Sequence, residues 1–137
     1  MIKKIFFFIV FYLLTFSPVI SATFNWTLVP ETRNASSQVF YDKKTVFSSG
    51  KYLYFWQLTN HIEDVDDDIY SIITHNMVDC DTDELRVIVY SDFKNPMGRG
   101  KSELEMIVPE TVQDMFIWRY FDRNNTIQGT VLDKICK

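Results

Sequence analysis

The 137 residues are 47% apolar and 16% aromatic and carry a formal charge of −4. That acidity, with no Lys/Arg run longer than two, excludes a strongly basic nucleic-acid binder. The apolar content excludes a disordered chain, and the length suits one domain, or one domain behind a targeting segment.

Residues 1–22 read as a secretory signal peptide. Lys3 and Lys4 form a positive start, Ile5 to Leu14 is an uninterrupted apolar run, and Ser17 and Pro18 break it. Ser21 or Ala22 then supplies a small residue at the cleavage position. The alternative is a membrane anchor, for which the uninterrupted run is short against ~30 Å of hydrocarbon. Cleavage leaves residues 23–137 as a single domain of charge −6. No Cys near the cut could take a lipid, and no second apolar run could span a membrane. The expected product is exported: periplasmic, secreted or surface-associated, without a lipid anchor.

Cys80 and Cys136 are the two cysteines. In an oxidising compartment a disulfide is the first reading; a thiol nucleophile working with His61 or His75 is the other. A disulfide would close a loop of 57 residues and contribute about 4 kcal/mol by the chain-entropy model.

Period-two alternation points to strands along most of 23–137. Phe24, Trp26 and Leu28 alternate with Asn25 and Thr27. Short apolar runs follow at Val39 to Tyr41 and at Thr45 to Phe47, and Ser48-Ser49-Gly50 signals a turn. Lys51 to Asn60 places Tyr52, Tyr54, Trp56 and Leu58 on one face and Leu53 and Phe55 on the other. This strand is therefore expected to be central and covered on both sides. Ile62 to Asp68 is an acidic hairpin tip, and Ile69 to Val78 returns as a strand that leads to Cys80. After Asp81-Thr82-Asp83, Leu85, Val87 and Val89 alternate with Arg86, Ile88 and Tyr90. Asn95 to Lys101 is a loop, and Leu104 to Val108 is a strand stopped by Pro109. Residues 110–121 fit a helix on one pattern, and a loop followed by a strand on another; the Trp, Tyr and Phe cluster favours the second. Asn125 or Thr126 caps a helix that runs to Cys136, with Ile127, Val131, Leu132 and Ile135 in one stripe. Gly129 weakens that helix by roughly 1 kcal/mol relative to Ala.

No catalytic constellation is present. His61 and His75 have no metal-ligand spacing and read as structural or solvated, and no nucleophile-elbow, zincin or phosphate-loop pattern occurs. Asp64, Asp66 and Asp68 imitate the start of a calcium loop, as do Asp79, Asp81 and Asp83. The sixth and twelfth positions fail in both. The first trio reads as a solvated hairpin tip that could hold a weak cation. No cofactor or resident metal is expected.

The order of these features resembles the surface-adhesin protein E family of Gram-negative bacteria. It is carried by Trp26, Tyr41-Asp42, Gly50, Trp56, Ser71, Asp79-Cys80, the strand Leu85 to Ser91, Met97-Gly98-Arg99-Gly100-Lys101, Trp118, and the helix from Thr126 to Cys136. The resemblance implies an α+β fold: a curved antiparallel sheet of about six strands, with one C-terminal helix on its concave face tied down by a disulfide. It implies a non-enzymatic binding protein, since a helix filling that face leaves little room for a pocket. The family includes an outer-membrane lipoprotein that binds host matrix and serum proteins such as vitronectin and laminin. Its binding region corresponds here to about Asn76 to Lys101, where Arg86, Arg99 and Lys101 are the basic candidates for contacts. Two departures are visible: no lipid-bearing Cys follows the signal, and the charge of −6 makes any attraction to acidic partners local. The alternative is a soluble periplasmic accessory protein of the same fold whose partner is another envelope protein.

Overall fold

The computed structural model describes residues 23–64, 68–107 and 118–137. The segment read as a signal peptide lies outside the described residues, as do Asp66 of the acidic tip and most of the ambiguous stretch 110–121.

Eight antiparallel strands form one sheet: β1 (Trp26–Leu28), β2 (Ser37–Asp42), β3 (Phe47–Ser49), β4 (Tyr52–His61), β5 (Ser71–Asp79), β6 (Glu84–Phe93), β7 (Ser102–Ile107) and β8 (Arg119–Tyr120). Six of them make the continuous path β1-β2-β4-β5-β6-β7, and the short β3 and β8 pair with the ends of β4 and β6. The one α-helix among the described residues, α1 (Ile127–Ile135), closes the chain. This is the expected curved sheet with a C-terminal helix; the two added strands are too short to have shown alternation.

The alternation read in β4 has a direct structural meaning. Phe55 is fully buried on one face, where it joins Val39, Tyr41, Val78, Leu85 and the helix residues Val131, Leu132 and Ile135. Tyr52, Tyr54 and Trp56 lie on the opposite face. The first is the helix face of the sheet and the second its outer face.

Three departures from the sequence pattern have local causes. The run Thr45 to Phe47 is not one strand: a 3₁₀ turn takes Lys43–Thr45, held where Asp42 Oδ1 accepts from Lys44 N at 3.0 Å. The β3–β4 turn is two residues, Gly50-Lys51, because Ser49 pairs with Tyr52. Gly50 takes φ +61° there, the left-handed first position of a II′ hairpin turn. Finally, β6 does not alternate evenly. His75 pairs with Val89 and Asn76 with Val87, so Ile88 is an extra residue in a bulge. The bulge moves Val89 to the outer face and Tyr90 to the helix face.

Cys80 and Cys136 are joined, with Cα atoms 5.6 Å apart. Thr126 is the N-cap of α1, its hydroxyl accepting from Gly129 N at 2.9 Å. Gly129 is required by packing, which corrects its reading as a mere weakness. A Cβ there would overlap the carbonyl group of Asp122 and the backbone of Arg123. Arg123 in turn clamps the β5–β6 turn, donating to Asp83 Oδ1 at 2.7 Å and to Cys80 O at 2.9 Å. The C-terminal helix is thus fastened to that hairpin by a disulfide and by an arginine.

Candidate binding surfaces

The outer face is an aromatic surface. Trp56 stacks on His75 with centroids 4.4 Å apart, Phe24 on Trp26 at 4.7 Å, and Phe47 on Tyr54 at 5.0 Å. Phe24 also meets Trp56 at 5.3 Å, which joins two of these pairs across β1 and β4. Tyr52 and Trp118 form a further pair at 5.3 Å. Phe47 is 52% exposed and the other rings are half-buried. Burial lowers the His75 pKa below its ordinary value of 6.5, and its Nε2 is enclosed with no hydrogen-bond partner. The imidazole therefore works as a neutral stacked ring.

Lys51 sits at one end of this surface, its Nζ 2.7 Å from Asp79 Oδ2 and 4.9 Å from the Tyr52 ring centre. That contact engages one carboxylate of the second calcium-like trio, and Arg123 engages Asp83. Two of the three carboxylates of that trio, Asp79 and Asp83, are thus taken up by ion pairs that hold the fold. No group of three metal-ligating side chains occurs among the described residues. Of the first trio, Asp66 lies outside the described residues.

The three basic candidates separate. Arg86 is half-buried on β6, opposite Met77, which is itself opposite Tyr54, so it belongs to the aromatic outer face. Arg99 and Lys101 are exposed beyond the far end of β6. Phe93 is seven positions beyond Arg86, ~23 Å of extended strand. The loop before Arg99 is well anchored. Ser71, fully buried, donates to Asn95 O at 2.6 Å and accepts from Gly98 N at 2.9 Å, and Asn60 Oδ1 accepts from Met97 N at 2.7 Å. Gly98, at φ +64°, lies against Ile73 and Leu58 and covers that end of the outer face. Sequence reasoning placed all three basic residues in one region; the structure sets them in two places, Arg86 in one and Arg99 and Lys101 in the other.

The histidines also separate. His61 Nδ1 lies 2.7 Å from Ser37 Oγ and ties β4 to β2; burial lowers its pKa too. His75 is in the aromatic row.

The helix face holds a feature that the sequence reading missed. The nine-residue α1 covers the end of the face near Cys80, and a cleft of about 250 Å³ remains beside it. This corrects the expectation that the helix leaves little room. Gln57 and Thr59 of β4 and Thr74 and Asn76 of β5 form its floor. Leu85, Val87 and Phe121 give it an apolar wall, and Tyr90, Arg119 and Gln128 its polar rim. Burial and the Asp92 carboxylate push the Tyr90 pKa far up, so the phenol stays a neutral group. A signal existed. On this face β4 runs Leu53, Phe55, Gln57, Thr59, and β5 runs Val78, Asn76, Thr74; β5 turns polar at Asn76, opposite Phe55, and β4 at the next pair, Gln57 with Thr74.

The surface-adhesin protein E family model matches residues 26–137. The chain belongs to that family. Two solved forms of Haemophilus influenzae protein E share the fold. The selenomethionine form gives a TM-score of 0.57 at 12% identity, covering 88% of this chain and 92% of that one. Crystal form II gives 0.55 at 13% identity, covering 88% and 93%. No curated protein matches. Membership makes this an adhesin-type protein, and among the described residues no helix is long and apolar enough to cross a membrane.

Proposed function

We propose that this chain is a non-enzymatic exported binding protein, released from residues 1–22 as one domain, that meets a protein partner with the outer face of its sheet. The observation that carries the reading is the set of half-exposed rings around Trp56, continued by Met77 and Arg86. Aromatic residues, Met and Arg are the types enriched in protein interfaces, and Trp, Tyr and Arg dominate their hot spots. Vitronectin and laminin are the host partners that the family resemblance suggests. Arg86 would act from within the aromatic surface, while Arg99 and Lys101 would form a separate charged contact at the loop.

The test is binding of purified, oxidised residues 23–137 to immobilised vitronectin and laminin across a salt series. Saturable binding weakened at least tenfold by Trp56→Ala or Arg86→Glu supports the outer face. Reversal of Arg99 and Lys101 alone should change mainly the salt dependence. Binding that ignores all four substitutions removes these residues from the proposal. A second reading, a periplasmic accessory protein, is favoured by the absence of any cysteine between residue 22 and Cys80. Cell fractionation separates the two: protein confined to periplasmic extract, with no signal on intact cells, supports the accessory role.

A further inference from the structure

We propose that the cleft beside α1 binds an acidic monosaccharide, a single sugar ring carrying a carboxylate. The inference goes beyond the adhesin reading and uses the opposite face of the sheet.

Its first support is a polar group that the fold does not need. Asn76 is 2% exposed and lies on the same face as Phe55 and Val78, where an apolar side chain would extend the core. Its amide makes one hydrogen bond among the described residues, Nδ2 to Thr74 Oγ1 at 3.0 Å. The rest of its amide is left to serve a ligand in the cleft that it lines. Gln57, 8% exposed, accepts from Gln128 Nε2 at 2.9 Å and keeps its own NH₂ group for another partner. The cleft thus presents carboxamides and threonine hydroxyls, donors and acceptors together, which is the chemistry that reads ring hydroxyls.

The second support is charge. No carboxylate is among the residues lining the cleft, although the chain is acidic overall; the neighbouring Asp92 is engaged with Tyr90 of the rim. Arg119 stands at its rim, exposed, with no ion pair among the described residues. Its pairing with Leu85 puts it on the helix face. A guanidinium matches a carboxylate in two parallel hydrogen bonds. An amino acid would satisfy the guanidinium but leave its ammonium without a carboxylate. A sugar acid leaves nothing unpaired, and its C–H face can lie on Leu85, Val87 and Phe121. The volume of about 250 Å³ is below the ~300–1,000 Å³ usual for larger ligands and suits one ring.

The experiment is a ¹H–¹⁵N NMR titration of the oxidised full chain with D-glucuronate. D-glucose (ring without carboxylate) and acetate (carboxylate without ring) serve as controls. The expected result is saturable shifts of the Gln57, Asn76 and Gln128 side-chain amides with glucuronate, and weaker response to either control. Arg119→Gln, with an unchanged spectrum elsewhere, should weaken glucuronate at least tenfold and bring it to the level of glucose. Gln128→Ala should weaken both sugars. Equal response to acetate and glucuronate overturns the proposal, as does unsaturable binding, shifts outside the cleft, or an Arg119→Gln variant that binds normally. The methyl β-glycoside of glucuronate then separates two sources of the same chemistry. Equal binding identifies the end of a glycan chain, and rejection identifies the free sugar acid.

Discussion

Phe55 and Trp56 are neighbours in sequence and opposites in role. Phe55 enters the helix face and is sealed by α1; Trp56 enters the outer face, where Phe24 and His75 lie against it and it stays half-exposed. The helix face is closed around Phe55 by the chain itself, with the cleft left beside α1, and stores stability. The other keeps its large rings at the surface, where they cost solubility and are useful only to a partner. The difference shows where a small sheet can hold function without risking its core.

Substitutions should separate these faces. Phe55→Ala should cost about 3–5 kcal/mol in denaturant unfolding, the loss expected for a fully buried ring. Trp56→Ala should cost about 1–2 kcal/mol, from two lost ring contacts, while taking most of the partner binding. If the two costs are equal, the outer face is a second core and the comparison fails. Replacing Cys80 and Cys136 together by Ser should cost about 2–4 kcal/mol and release α1, loosening the helix face while leaving the stacked outer rings in place; near-ultraviolet circular dichroism reports those rings. Gly129→Ala sharpens the point. Helix propensity alone predicts a gain of roughly 1 kcal/mol. The overlap with the Asp122 carbonyl predicts a loss of about 1–3 kcal/mol instead, and a thermal melt gives the sign.

The smallest effect is with pH. His75 has its pKa lowered by burial, so the unfolded chain takes up a proton first as pH falls. Stability should therefore be full above 6.5 and decline as pH drops from there to the folded-state value. His61 contributes in the same direction. His75→Phe should remove the His75 share of that decline, as read by midpoints at pH 7.5 and pH 5. Asp79 adds a separate loss in stronger acid. Lys51 holds its pKa below the ordinary 3.8, so its contribution is present above that value and disappears as pH falls through the lowered one.

Much of this fold was legible because a strand with two different neighbours must alternate. Tyr52, Tyr54 and Trp56 against Leu53 and Phe55 gave the two faces of β4, and the apolar stripe ending at Cys136 gave the docked helix. The failures are places where the period breaks or where a side chain is judged by its neighbours in space. Nothing in Val87-Ile88-Val89 marks the extra residue, since all are apolar and β-branched; only the register with His75 and Asn76 shows it. Gly129 looks like a weak helix residue until Asp122 is placed against it. Gln57 and Asn76 look like ordinary strand polarity until their burial is known. Arg86, Arg99 and Lys101 are close in sequence, but an extended strand carries the first away from the others.

The bond from Cys80 to Cys136 has a mechanical consequence. Tension that enters on the C-terminal side of Cys136 passes through sulfur to the end of β5, so residues 81–135 are bypassed and carry none of the load. The pull then acts on β5, β4, β3, β2 and β1 in turn. β1, held to β2 over three residue pairs, is the first strand that a pull from the N-terminal side reaches. A molecule stretched between its two ends would shed β1 and the Phe24–Trp26 stack first, while α1, β6 and the cleft beside α1 stayed folded.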